Sequence, residues 1–269
     1  MLARLRFVKR DIQWAMAPRL FAALFTLILV AATGEQGPPA EFQFLRMEYR
    51  DHPSIRRPFR RNFEGRGSGW WEQDWPEADA HFTQGIRRLT RIDTGNGMHL
   101  PLTDDRLYDY PWIYATQAAY WDIGKPEMDR LREYLRRGGF LVVDDFHGPS
   151  DWETFRHSML ELFPDYPIVD IELGDAVMKV AYSIEERTTI PGLRHLRRGP
   201  GGQIVVQPQA VPPIWRAIYD ERGRMLVAIN FNMDVGDAWE HADLPEYPAE
   251  MTMLAYRLGI NYIIYAMTH

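Results

Sequence analysis

The sequence predicts an α/β domain built on a mainly parallel β-sheet. Three observations predict it. Residues 110–116 (YPWIYAT), a helix opening at Lys125-Pro126 and the apolar run 140–143 (FLVV) form a strand, helix, strand succession with short connections, the pattern of a right-handed parallel crossover. Run 140–143 is apolar without alternation, as a strand buried on both faces must be. Finally, Ile214–Tyr219 and Met225–Phe231 flank Glu221-Arg222-Gly223-Arg224, a hairpin signal that adds an antiparallel strand. With 269 residues, 46% of them hydrophobic and 25% charged, the chain can bury a sizeable core, and one domain is the default.

The first forty residues stand apart. Arg4, Arg6, Lys9, Arg10 and Arg19 form a basic head, and residues 20–32 (LFAALFTLILVAA) are an unbroken apolar run. That is the order of a secretory signal, and the run is shorter than the roughly 20 residues a spanning helix needs. Val30, Ala31 and Ala32 supply small residues for cleavage. The expectation is a signal peptide over 1–32, with an uncleaved membrane anchor as the alternative, a linker over 33–41 and the domain over 42–269. Either way the folded part is expected outside the cytoplasm, periplasmic or extracellular, and touches a membrane only through an uncleaved N-terminal segment.

Along the folded part, residues 41–49 (EFQFLRMEY) alternate apolar and polar side chains and read as a strand, followed by a Pro-, Arg- and Gly-rich loop to Gly69. Trp70, Trp71 and Trp75 read as a packed lid or as an exposed aromatic platform. Phe82, Ile86 and Leu89 lie at helical spacing within 78–90. In the helix from Lys125-Pro126, Met128, Leu131 and Leu135 share a face, and Gly138-Gly139 supply the stop. Ser150-Asp151-Trp152-Glu153 has a capping-box pattern that predicts another helix start. Residues 168–171 and 177–182 read as short strands, 193–202 as a basic glycine-rich loop and 232–245 as an acidic loop. A helix over 249–258 with Gly259 as its stop leaves 260–267 as helix or buried strand. No internal repeat is visible.

Composition excludes several chemistries. The net charge of −6 becomes −10 without residues 1–32, which carry five basic residues and one acid. An acidic domain of this sign argues against nucleic acid, which needs a basic face to displace phosphate counterions. Arg56, Arg57, Arg60 and Arg61, and Arg194, Arg197 and Arg198, cluster, but with three lysines in the chain a usage bias explains them as well as a binding patch does. Cysteine is absent, which removes thiol nucleophiles, thiolate-bound zinc and redox pairs. There is no Walker loop, no Gly-x-Ser-x-Gly elbow and no His-Glu-x-x-His. Gly65–Gly69 and Gly199–Gly202 lack the strand and helix context of phosphate loops.

Three separated motifs carry a resemblance: Arg137-Gly138-Gly139-Phe140-Leu141-Val142-Val143-Asp144-Asp145-Phe146, Asp234-Val235-Gly236-Asp237-Ala238-Trp239-Glu240 and Tyr256-Arg257-Leu258-Gly259-Ile260-Asn261-Tyr262. Together they resemble the bacterial domain-of-unknown-function family 4159, over roughly residues 42–269. That family resembles a branch of the class I glutamine amidotransferase-like superfamily. The resemblance implies a flavodoxin-like fold, a mainly parallel sheet with helices on both faces. In catalytic members of the superfamily a cysteine occupies the turn between the buried strand and the next helix. Here that turn is Asp144-Asp145-Phe146-His147-Gly148, so the thioester route is excluded and only the scaffold and its crevice carry over.

The candidate site follows from that turn, because open α/β sheets bind ligands beyond the carboxyl ends of their strands. Asp144 or Asp145 with His147 can bind a ligand or serve as general base, or can simply cap the following helix. Adjacent residues of a continuing strand point to opposite faces, so one of the two aspartates is expected in a given crevice. Thr116 and Gln117, at the end of the preceding parallel strand, are neutral contacts. Asp234, Asp237, Glu240, His241 and Asp243 form a second acidic cluster, with Asp234 and Asp237 the candidate ligands of a divalent cation and a solvated loop the plainer account. If Met225–Phe231 runs parallel to 140–143, both clusters meet at one edge. His81, His157 and His195 read as isolated structural or surface residues. The expected function is an exported binding domain for a small polar ligand or an envelope protein, without amidotransferase activity. The alternatives are an Asp/His-dependent, metal-assisted hydrolase and a structural envelope module.

Overall fold

In a β-strand successive side chains point to opposite faces, and the central strands use both. Trp112, Tyr114, Phe140 and Val142 enter one core, and Ile113, Ala115, Leu141 and Val143 the other. The computed structural model describes residues 40–54, 69–209 and 212–269. The N-terminal signal segment, most of the linker and the arginines at 56, 57, 60 and 61 lie outside the described residues.

Seven strands, Leu45–Glu48 (β1), Met98–Pro101 (β2), Trp112–Thr116 (β3), Phe140–Asp144 (β4), Ile168–Asp170 (β5), Ile214–Tyr219 (β6) and Met225–Phe231 (β7), form one sheet in the order β2-β1-β3-β4-β7-β6-β5. The first five in that order are mutually parallel, and β6 is antiparallel to both β7 and β5. Helices Glu77–Leu89 (α1), Lys125–Arg136 (α2), Gly148–Leu162 (α3), Val235–Glu240 (α4) and Ala249–Thr268 (α5) accompany the sheet. Phe82 and Ile86 of α1 and Leu258 and Tyr262 of α5 cover one face. Leu131 of α2 and Phe155 of α3 cover the other. This is a mixed α/β fold with a mostly parallel sheet.

Local chemistry sets the boundaries of the crossover. The carboxylate of Glu127 accepts the Gly124 amide at 2.8 Å and opens α2. Gly138 at φ +115° ends it, with the Gly139 amide donating to the Tyr134 carbonyl at 3.0 Å, a left-handed glycine stop. The β6–β7 turn is closed by Asp220, whose Oδ1 accepts the amides of Arg222 and Arg224, both at 2.9 Å.

Several expectations are corrected. The strand expected over 41–49 is regular only from Leu45 to Glu48. Residues 177–182 are not a strand: Ala176–Met178 is a single 3-10 turn, and Asn261 of α5 accepts the amides of Ala181 and Tyr182 while donating to the Tyr182 carbonyl. A helix side chain thus takes the bonds a neighbouring strand would have made. Segment 193–202 is not all loop, since Leu196–Arg198 pairs antiparallel with Ile204–Val206. Helix α3 begins at Gly148, two residues before the capping-box serine, and the Asp151 carboxylate reaches back to the His147 amide at 3.3 Å.

The acidic loop 232–245 contains α4. Gly259 does not stop the last helix, which runs unbroken through it. A Cβ there would lie 2.6 Å from Phe82 Cζ and 2.8 Å from Trp239 Cζ2, so the glycine serves close packing. The tryptophan-rich segment packs: Trp71 is buried against Trp75 and His99, and Trp70 lies against Tyr120. Among the described residues no helix is long and apolar enough to cross a membrane.

Candidate functional site

Strands β3, β4 and β7 are neighbours and parallel, so their carboxyl ends share one edge. Each exits through a left-handed residue: Gln117 (φ 52°), Asp145 (φ 50°) and Asn232 (φ 57°). Asp74 (φ 61°) completes the set of positive-φ residues other than glycine among the described residues. All four surround one cluster. The left-handed conformation costs an L-residue roughly 1–2 kcal/mol, less for Asn and Asp, and such strain concentrates at functional sites.

Asp145 is 1% exposed and heavily bonded. Its Oδ1 faces His147 Nε2 at 3.0 Å and accepts Arg194 Nη2 at 2.9 Å, while its Oδ2 accepts the Gln117 amide. Gln209 holds the other side of the imidazole. Its nitrogen donates to the Asn232 carbonyl at 2.8 Å, which turns its Oε1 toward His147 Nδ1 at 3.2 Å. Both ring nitrogens therefore face acceptors. His195 lies 5.0 Å from His147 between ring centroids. Burial and the charge of His147 push it down to about 4.

Asp144 is fully buried. The Tyr114 hydroxyl donates to its Oδ2 at 2.8 Å, and the amides of Val235 and Gly236 do so at 2.7 and 3.0 Å. Its Oδ1 has no hydrogen-bond partner among the described residues. Burial and the neighbouring Asp145 raise its carboxyl to about 6. The condition for expecting only one of Asp144 and Asp145 in a given crevice, a strand that continues through both, is not met. The strand ends at Asp144, and the left-handed turn at Asp145 brings the second carboxylate round to the same cluster.

The second acidic segment joins them. Ligand atoms of Asp145, His147 and Asp234 lie within 4.8 Å of one another, as do those of Asp74, Asp234 and Asp237, and those of Asp237, Glu240 and His241. Asp234 Oδ1 accepts the Asp237 amide at 3.0 Å, and Asp237 Oδ2 accepts the Leu193 amide at 2.7 Å. Burial first, and then neighbouring carboxylates, hold Asp74 and Asp234 well above the usual carboxylate range. Burial also raises Asp237 and Glu240. His241 Nε2 is 3.6 Å from both Asp237 and Glu240. Thr116 is buried beside Asp144 in the sheet register, with its carbonyl taken by the Tyr49 hydroxyl at 2.7 Å.

Asp74, Tyr114, Arg194 and Gln209 escaped the sequence reading as site residues, and His195, expected to stand alone, lies beside His147 instead. Asp74 is delivered by Arg46, a buried β1 residue whose Nη1 donates to the carbonyls of Trp71 and Gln73 at 3.0 and 2.8 Å. Arg194 was legible only as one of a group of arginines. His81, by contrast, is structural: its Nδ1 lies 3.0 Å from the carbonyls of both Trp239 and Glu240. His157 is exposed near Glu161.

Comparison with known proteins gives a family match. The family described as a domain of unknown function (DUF4159) matches residues 62–267, most of the chain. No curated protein matches it.

Proposed function

The chain belongs to that family of unknown function, and from this premise we propose that it is an exported domain whose carboxyl-edge crevice binds a small polar ligand, on an amidotransferase-like scaffold without amidotransferase chemistry. The observation that carries the reading is the concentration of left-handed residues: Asp74, Gln117, Asp145 and Asn232 all border one cluster. A fold accepts that cost repeatedly at one edge where the backbone must aim side chains at something. The strand order supports the scaffold. The parallel succession β2-β1-β3-β4-β7 is the 2-1-3-4-5 order of flavodoxin-like sheets, which bind beyond the strand carboxyl ends. Arg194, with a half-exposed side chain, and the partly exposed His147 are the groups through which a ligand reaches Asp145. The guanidinium of Arg194 favours a ligand with an acidic group.

A thermal-shift panel of amino acids, sugars and phosphorylated metabolites tests this. At least one class should raise the midpoint saturably in the wild-type chain and not in Asp145→Asn or Arg194→Ala. No shift from any class, or an equal shift in both variants, would overturn it. Export is tested separately by mass spectrometry of the natively produced chain, where a mature N-terminus near Thr33 is expected and an intact Met1 in the membrane fraction indicates the anchor.

One observation favours a second reading. His147 Nε2 sits 3.0 Å from Asp145 at the strand-to-helix turn, a pairing suited to acid–base or nucleophilic work on a small polar substrate. A hydrolase screen in which Asp145→Asn and His147→Ala both abolish turnover would establish that reading. Turnover insensitive to either would remove it.

A further inference from the structure

We propose that Asp74, Asp234 and Asp237 form the binding site of one hard divalent cation, of the magnesium, manganese or calcium class. The proposal deepens the reading of this edge as the functional one and rests on it. One oxygen from each carboxylate lies within 4.8 Å of the others, a spread that one ion can bridge at the longer calcium–oxygen distances of roughly 2.4–2.6 Å. The donors are all carboxylate oxygens, the set that hard cations prefer.

The second observation is Asp74 itself. It is 7% exposed, and its Oδ2 is a buried oxygen without a hydrogen-bond partner among the described residues. Buried polar atoms are almost always satisfied, so an unpartnered carboxylate oxygen among other carboxylates points to a missing positive ligand. Each of the three side chains is meanwhile steered by one bond to its other oxygen or through one oxygen. Gln73 Nε2 donates to Asp74 Oδ1 at 2.6 Å, the Asp237 amide to Asp234 Oδ1 and the Leu193 amide to Asp237 Oδ2. Outer contacts of this kind orient ligating groups.

Space is kept for the carboxylates by two glycines. A Cβ on Gly236 would lie 2.6 Å from Asp74 Oδ2, and one on Gly192 would press on Asp234 Oδ2 and lie 3.0 Å from Asp237 Oδ2. Among the described residues, the two arginines whose charge acts on the group make their hydrogen bonds elsewhere. Arg194 is engaged with Asp145, and Arg46 with Asp79 and the carbonyls of Trp71 and Gln73.

The two neighbouring groups are weaker. Asp145, His147 and Asp234 already have Arg194 and Gln117 on Asp145, so an ion there would have to expel a guanidinium. Asp237, Glu240 and His241 sit on one short helical stretch, with no unpartnered buried oxygen among them.

The test is titration of the EDTA-treated, full-length chain with MgCl2, MnCl2 and CaCl2, read by calorimetry and by the thermal midpoint. Binding of one equivalent of at least one of these ions with a rise in midpoint is expected. Asp74→Asn and Asp237→Asn should each weaken it by about tenfold or more, the scale of a disturbed ligand sphere. Glu153→Gln, at an exposed position of α3, should leave affinity within about threefold. Absence of saturable binding by any of the three ions overturns the proposal. So does loss in Asp145→Asn or His147→Ala with retention in Asp74→Asn, which would move the ion to the other group. Should a variant fail to fold, the manganese EPR spectrum of the wild-type chain decides: bound Mn2+ with an all-oxygen sphere supports the site, and nitrogen coordination rejects it. Repeating the metabolite panel in EDTA keeps the two readings apart. A ligand shift that persists without any ion binding sinks the cation alone, and ion binding without a ligand sinks the broader reading alone.

Discussion

Asp79 and Asp74 are both buried carboxylates on the same flank of the sheet, and Arg46 touches the surroundings of each, yet they differ in compensation. Asp79 accepts Arg46 Nε with both oxygens at 3.1 Å, and the same guanidinium lies 5.0 Å from the Tyr114 ring. Burial opposes charge on both partners, and the pairing offsets it only in part at Asp79, whose carboxyl stays above its usual range. Asp74 receives one bond, from Gln73, and keeps an empty oxygen facing other acids. Burial of an acid is therefore not in itself a sign of function here. The uncompensated charge, gathered where three strands exit through left-handed residues, is what separates the two places.

The largest effect expected from breaking this contrast is at the compensated pair. Asp79→Ala leaves Arg46 charged, buried and short of its partner, which should cost about 3–5 kcal/mol. It should also loosen the turn that presents Asp74. Urea unfolding measures the loss, and a cost under about 1 kcal/mol would show that the two aspartates are not distinguished in this way.

A smaller effect concerns proton linkage at Asp144. Its folded value near 6 lies above the ordinary 3.8, so the folded chain binds this proton more tightly than the unfolded one. The associated stability is fully present below about pH 4 and is lost as pH rises through about 6. The difference corresponds to roughly 3 kcal/mol at 1.36 kcal/mol per pH unit. Asp74, Asp234 and Asp237 shift in the same direction and steepen the fall. Asp144→Asn keeps an acceptor for Tyr114 and the Val235 and Gly236 amides but cannot ionise. Unfolding curves in EDTA between pH 4 and 7 should therefore be flatter for the variant. Parallel curves would mean that Asp144 does not carry the linkage.

Much of this edge was legible in the chain because its signals are local. The apolar run ending before Asp144, the glycine stop before it and the turn residues Glu221-Arg222-Gly223-Arg224 name a central parallel strand and a hairpin without tertiary knowledge. The meeting of Asp145 with Asp234 followed from one orientation, that of β7. What escaped depended on contacts distant in sequence. Strand β2 (MHLP) has little β-branched character and ends in proline, and it pairs only at the sheet edge. Segment 177–182 looked like a strand until Asn261 took its amides. Asp74 went unremarked beside Trp71 and Trp75 because nothing near it announces Arg46, 28 positions earlier in the numbering. The left-handed exits themselves fall on Gln, Asp and Asn rather than glycine, so composition concealed the strain.

The smallest expected effect has the opposite sign to the first. Asp74→Asn replaces a buried, poorly paired acid by a neutral side chain of nearly the same shape, and asparagine tolerates φ near +60° as well as aspartate does. Its carbonyl can still accept the Gln73 amide. Without a cation, at pH 7–8, the variant should therefore be more stable than the wild-type chain by about 1 kcal/mol, the scale of relieving one unsatisfied buried group. Near pH 4 the gain should disappear, because the wild-type carboxyl, already held above its usual range by burial and by Asp145, Asp237 and Glu240, is then protonated and neutral as well. With saturating divalent ion the order should reverse, since only the wild-type chain gains binding energy in its folded state. Paired unfolding curves of the two proteins, in EDTA and in excess ion, resolve all three conditions. A destabilised Asp74→Asn in EDTA would mean that Asp74 is compensated like Asp79, and the contrast between the two aspartates would fall with it.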